Sequence, residues 1–171
     1  GAEVRRLVDA VTKLTKLRYE GKRSERQIAS LRKMLLAASD DLRVIFIKIA
    51  DRLHNIETIG ALSSDKQERI ARETLEIYVP FARMVGLWDV KRRFEELCFP
   101  IAFPEEAEQW HERIAHRREE LLPERLSAIE RLCKVTQVQT EVHLTFMTDY
   151  ELYQKCGGNS LRLRDAGSID W

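Results

Sequence analysis

The sequence predicts a mainly α-helical chain with a short α/β element at its C-terminal end. Three observations carry this. Apolar residues recur at intervals of three and four over most of the length. Breakers are few, with 7 Gly and 4 Pro among 171 residues, while 44% of residues are hydrophobic and 33% charged, a mixture that suits a soluble helical globule. The period shortens to two only over 138–146, where Val138, Thr140, Val142, Leu144 and Phe146 alternate with Gln139, Glu141, His143 and Thr145, as in a half-buried strand.

The elements follow in order. Val4, Leu7, Val8, Val11, Leu14 and Leu17 fall on one face of a first helix. The polar stretch RYEGKRSERQ breaks it, and ERQIASLRKMLLAAS reads as a second. Asp40 or Asp41 can cap a third helix from Leu42 to Ile59, with Gly60 as its stop. Ser64 and Gln67 stand in capping-box spacing at the start of a fourth. Pro80 is expected to end or bend that helix, because its ring removes a donor and crowds the preceding turn. Gly86 breaks the chain again, WDVKRRFEELCF forms a short helix, and Pro100 and Pro104 bracket a connector. A long charged helical region follows, interrupted at Pro123, its charges read as a solvated face. After the strand, DYELYQK returns to helix, GGNS turns, and LRLRDAGSIDW begins another strand.

Several function classes are disfavoured. The formal net charge of +1 argues neither for nor against nucleic acid, and no run reaches the roughly 18 apolar residues of a membrane span. Cys98, Cys133 and Cys156 are odd in number and widely spaced, without a CxxC or Cys/His ligand pattern, so they read as reduced thiols of a cytoplasmic protein. HERIAH resembles a zinc-protease pattern but is one residue too long. His111 and His116 would lie about 140° apart around a helix and could not easily share a metal.

The segment VIFIKIADRLHNIETIGAL is the informative one. Val44, Ile45, Phe46, Ile47, Ile49, Ala50, Leu53, Ile56 and Ile59 cover nearly the whole circumference of the third helix. Such a helix is expected to be buried, and Asp51 with it, so its carboxylate needs a counter-charge, hydrogen bonds or a metal. Asp51, Asn55 and Thr58 stand at i, i+4 and i+7, within about 60° of one another. One narrow face thus carries a carboxylate able to ligate a cation, an amide able to donate and accept, and a hydroxyl. Lys48 stands one turn ahead of Asp51. Spacing leaves two readings open: a structural ion pair with buried hydrogen bonds, or one wall of a ligand site.

The stretches AVTKLTKLRY, LRKMLLAASDDLRVIFIKIADRLHNIETIGAL and DKQERIARETLEIYVPFARMVGLWDVKRRFEELCF resemble the RelA/SpoT homologue family, densely from Val8 to Pro104. The resemblance implies an all-helical, partial HD-type domain over residues 1–103. It also implies a helical linker over 104–136 and the incomplete start of an α/β pyrophosphokinase-like domain over 137–171. It implies a (p)ppGpp 3′-pyrophosphohydrolase with Mn²⁺ held by two histidines and two aspartates, Asp51 being the last of these. Asn55 would contact the nucleoside, Thr58 would line its pocket, and Lys48 is a further candidate there. Family members with an inactive hydrolase often lose this Asp. Here Asp51, His54 and Asn55 are intact, which resembles the hydrolase-competent, bifunctional or SpoT-like branch. The family's other metal ligands precede this region, and no His stands ahead of His54, so this chain alone is expected not to hydrolyse (p)ppGpp.

At the other end, Tyr150, Leu152, Tyr153 and Lys155 echo the opening of the family's synthetase, and Asp170 falls near an acidic position that helps bind Mg²⁺. The expected partner is the guanine nucleotide (p)ppGpp, with neither DNA nor membrane. Self-association, or binding to the rest of the enzyme, is expected through Val4, Leu7 and Val11. The alternatives are a non-enzymatic regulatory or oligomerisation module derived from such an enzyme, and a fragment of another HD-type nucleotide phosphohydrolase.

Overall fold

The computed structural model describes residues 1–15, 41–136 and 146–158, with Ala29, Arg32, Met34 and Leu36 as helical positions between the first two stretches. All regular structure among the described residues is helical. The alternating stretch before Phe146, His143 within it, the second half of GGNS and the final LRLRDAGSIDW with Asp170 lie outside them, as does most of the second helix. The chain divides into two units, 1–102 and 103–171.

The first unit begins with α1 (Ala2–Thr15) and α2 (Leu42–Glu57). They pack together and are tied by Arg43 to Glu3 at 2.7 Å and by Arg6 to Asp41 at 3.5 Å. Asp41 caps α2, its carboxylate accepting from the Arg43 backbone N–H at 3.1 Å, which satisfies one of the orphan donors of the first turn. Arg43 also draws the Asp41 carboxyl down to about 2. A 3₁₀ turn, Ile59–Ala61, follows α2.

Next come α3 (Ser64–Glu73), a π-helical turn (Thr74–Tyr78) and α4 (Val79–Met84) in unbroken succession. Ser63, not Ser64, is the cap residue, and its side chain makes no capping bond. Gln67 donates instead to the Leu62 carbonyl at 2.7 Å. Of the two outcomes expected at Pro80, an end or a bend, the helix does not end there. The chain widens by one residue just ahead of it, and Val79 N–H bonds to the Thr74 carbonyl. That wider turn relieves the contact between a proline ring and the carbonyl one turn back. Gly86, at φ 78°, makes the turn into α5 (Trp88–Ala102). Helix α5 packs against α2, α3, the π turn and α4, around a core of Ile45, Ile56, Leu75, Phe81, Phe94 and Cys98, all at most 2% exposed. Burial pushes the Cys98 thiol up to about 12, which makes it an inert core group.

The prolines are weaker breakers here than expected. Pro100 lies inside α5, so the connector between helices shrinks to Phe103. In the second unit α6 (Pro104–Thr136) runs straight through Pro123, whose side chain is exposed. Ala107, Trp110 and Ile114 line one buried stripe of α6, and α6 packs against α7 (Asp149–Lys155). Trp110 meets the Tyr153 ring edge-on at 5.6 Å, and Phe103 lies 5.8 Å from the same ring. Thr148 caps α7 through Glu151 N–H at 3.1 Å. No helix of the described residues is long and apolar enough to cross a membrane.

Candidate functional site

Helix α2 is not buried on all sides. Val44, Ile45, Ile49 and Ile56 face the core, whereas Phe46 and Ile47 are 44% and 43% exposed. The residues α2 packs against cover only one stripe of it. Asp51 stands on the outer side, its side chain 48% exposed. The expectation of a carboxylate in the interior is therefore corrected: Asp51 carries little desolvation cost and needs no buried partner. Its oxygen Oδ2 accepts from Lys48 Nζ at 3.2 Å, an i, i+3 pair in which the lysine, 13% exposed, is the more covered partner. A pair this exposed contributes about 0.3–0.5 kcal/mol.

Asn55 follows one turn later and is exposed, as is Thr58. Thr58 is the C-cap of α2, and its hydroxyl donates to the His54 carbonyl at 2.9 Å, leaving oxygen lone pairs as acceptors. The end of α2 is held to α5 by Arg93 and Glu57 at 3.6 Å. Carboxylate, amide and hydroxyl thus lie along one outward helical strip, open to a ligand.

Asp51 fits a divalent cation as one oxygen ligand. Among the described residues no group of three or more His, Cys, Asp or Glu side chains comes together, so those residues do not complete a metal site. The HERIAH histidines have separate partners. His111 Nδ1 lies 2.8 Å from Asp149, and His116 Nδ1 lies 3.4 Å from Glu120.

Arg52 points away from the strip, toward Glu73 and Tyr78. Its guanidinium donates to Glu73 at 3.0 Å and to the Tyr78 hydroxyl at 3.1 Å, and stacks 4.2 Å from the Tyr78 ring centroid. Burial pulls its pKa down, but Tyr78 and Glu73 outweigh that and leave it raised. Spacing within one helix could not reveal partners 21 and 26 residues away.

Residues 1–88 match the family described as HD domain. The chain is 38% identical over 172 residues to guanosine-3′,5′-bis(diphosphate) 3′-pyrophosphohydrolase of Haemophilus influenzae, covering 96% of this chain and 24% of that protein. It is 51% identical over 104 residues to the protein of the same name from Vibrio cholerae, covering 61% of this chain and 15% of that one. It is 49% identical over 104 residues to the bifunctional (p)ppGpp synthase/hydrolase SpoT of Escherichia coli, again covering 61% and 15%. The chain spans about a quarter of the length of the first of these relatives and less of the others.

Proposed function

Because this chain belongs to the HD domain family and is a RelA/SpoT homologue, we propose that it is part of a guanosine-3′,5′-bis(diphosphate) 3′-pyrophosphohydrolase acting in (p)ppGpp metabolism. The observation that carries this reading is the outward strip of α2. There a half-exposed carboxylate, Asp51, precedes an exposed amide, Asn55, by one turn and a capping hydroxyl, Thr58, by two.

The roles follow from the chemistry of each group. Asp51 contributes one ligand to a divalent cation, Mn²⁺ on the family resemblance. When bound, that ion offsets the charge of the 3′-diphosphate. Asn55 presents a donor and an acceptor to the nucleoside, and Thr58 offers its hydroxyl oxygen beside it. Lys48 holds Asp51 by charge and stands within reach of an anionic ligand. One carboxylate is too few for a divalent cation, and among the described residues no group of three or more possible ligands comes together, so turnover is assigned to a longer protein. A second activity, GTP pyrophosphokinase with Mg²⁺ near Asp170, belongs to the same proposal for a longer protein.

The decisive variant is Asp51→Ala in the full-length protein, assayed for Mn²⁺-dependent release of pyrophosphate from ppGpp. Release falls by at least about 100-fold if Asp51 is a ligand. Release at the parent rate, or turnover by this chain alone that Asp51→Ala abolishes, would overturn the proposal as stated.

A further inference from the structure

Arg52 stands one residue, about 100°, around α2 from Asp51. Its side chain is 14% exposed and engaged on two sides. One nitrogen donates to both Glu73 and the Tyr78 hydroxyl, while the guanidinium plane lies over the Tyr78 ring. Tyr78 is itself 3% exposed, and its ring packs edge-on against Phe94 at 6.2 Å. Tyr78 belongs to the π turn that follows α3.

We infer that Arg52 is a positioning residue. Gripped by Glu73 and Tyr78, it fixes the rotation of α2 about its own axis and so the direction in which Asp51 and Asn55 face. The inference rests on the functional reading above. The physical reason is the shape of the contact. A guanidinium whose one nitrogen donates to two acceptors while its plane lies over a ring face resists both sliding and turning, and a lysine ammonium has no plane to lay on the ring. The apolar contacts of the core stripe of α2 are non-directional, whereas its outer strip must aim particular polar atoms.

The experiment compares Arg52→Gln, Arg52→Lys, Tyr78→Phe and Asp51→Ala in the full-length protein. It measures Mn²⁺ affinity by electron paramagnetic resonance, helical content by circular dichroism, and kcat and KM for ppGpp separately. Arg52→Gln keeps the helical spectrum but binds Mn²⁺ about tenfold more weakly, and Arg52→Lys recovers only part of the loss. Where Arg52→Gln does not fold, Tyr78→Phe decides, since it removes one hydroxyl, and its expected loss is about threefold in Mn²⁺ affinity. Folded Arg52→Gln or Tyr78→Phe protein with parent affinity overturns the inference. If Asp51→Ala also binds Mn²⁺ normally, the functional reading falls and the inference with it. If only Asp51→Ala loses binding, the grip alone falls.

Discussion

At the residue scale, polar side chains of the first unit separate into those that hold the fold and those that face outward. Asp41 belongs to the first group. Its carboxyl titrates at about 2 rather than 3.8 because of Arg43, so the folded state binds this proton less readily than the unfolded chain. Its contribution is therefore complete above about pH 4 and lost as pH falls through about 2. Thermal melts from about pH 5 to pH 2 should steepen in that window, and Asp41→Asn, which keeps the cap, should flatten the slope. Lys91 and Glu95 form an ion pair at 2.8 Å with side chains 7% and 2% exposed. Removing its lysine partner leaves a buried carboxylate poorly compensated. Urea denaturation should show Lys91→Met costing about 3–5 kcal/mol, and the double change Lys91→Met with Glu95→Leu costing less. The Asp51–Asn55–Thr58 strip was legible in the sequence because it depends only on helical period. Burial of Asp51 was misjudged because the count of apolar residues around α2 does not say which of them a neighbour covers. Arg52 stayed illegible because its partners lie on another helix.

At the element scale, the helices were read from their periods and the errors fall at prolines. Pro80, Pro100 and Pro123 each sit where a helix is expected to end, bend or break, and each is carried through. The physical allowance differs among them. A π turn precedes Pro80, while Pro100 and Pro123 are exposed, so water can reach the carbonyl each leaves without its helical donor. Pro123 retains a cost even so. Pro123→Ala restores an N–H to the middle of α6 and should raise the thermal midpoint of the second unit. The gain is up to about 3 kcal/mol, read by circular dichroism. An unchanged or lower midpoint would show that the helix is shaped by that proline and not merely tolerant of it.

At the scale of the whole molecule, stability in the first unit comes from the closure of α2, α3, the π turn and α4 upon α5. Phe94 is fully buried there while Phe46 is 44% exposed. Phe94→Ala should lower unfolding free energy by about 3–5 kcal/mol, and Phe46→Ala by less than about 1 kcal/mol, in the same denaturation series. The chain divides after Ala102. The expected α/β element was read from a change of period that lies almost wholly outside the described residues.

The π turn at Thr74–Tyr78 has a bearing on insertions and deletions. It stores one residue more than the α turn it replaces. Deleting a residue within it would let the turn close to ordinary pitch while α3 and α4 kept their faces toward α5. The same deletion inside α3 would swing every later side chain by about 100°. The run from Ser64 to Met84 therefore contains a built-in slack link, where the gene can lose a codon without turning the core inside out. The deletion would still return the Pro80 ring to the carbonyl one turn behind it, so the slack is held open by that proline.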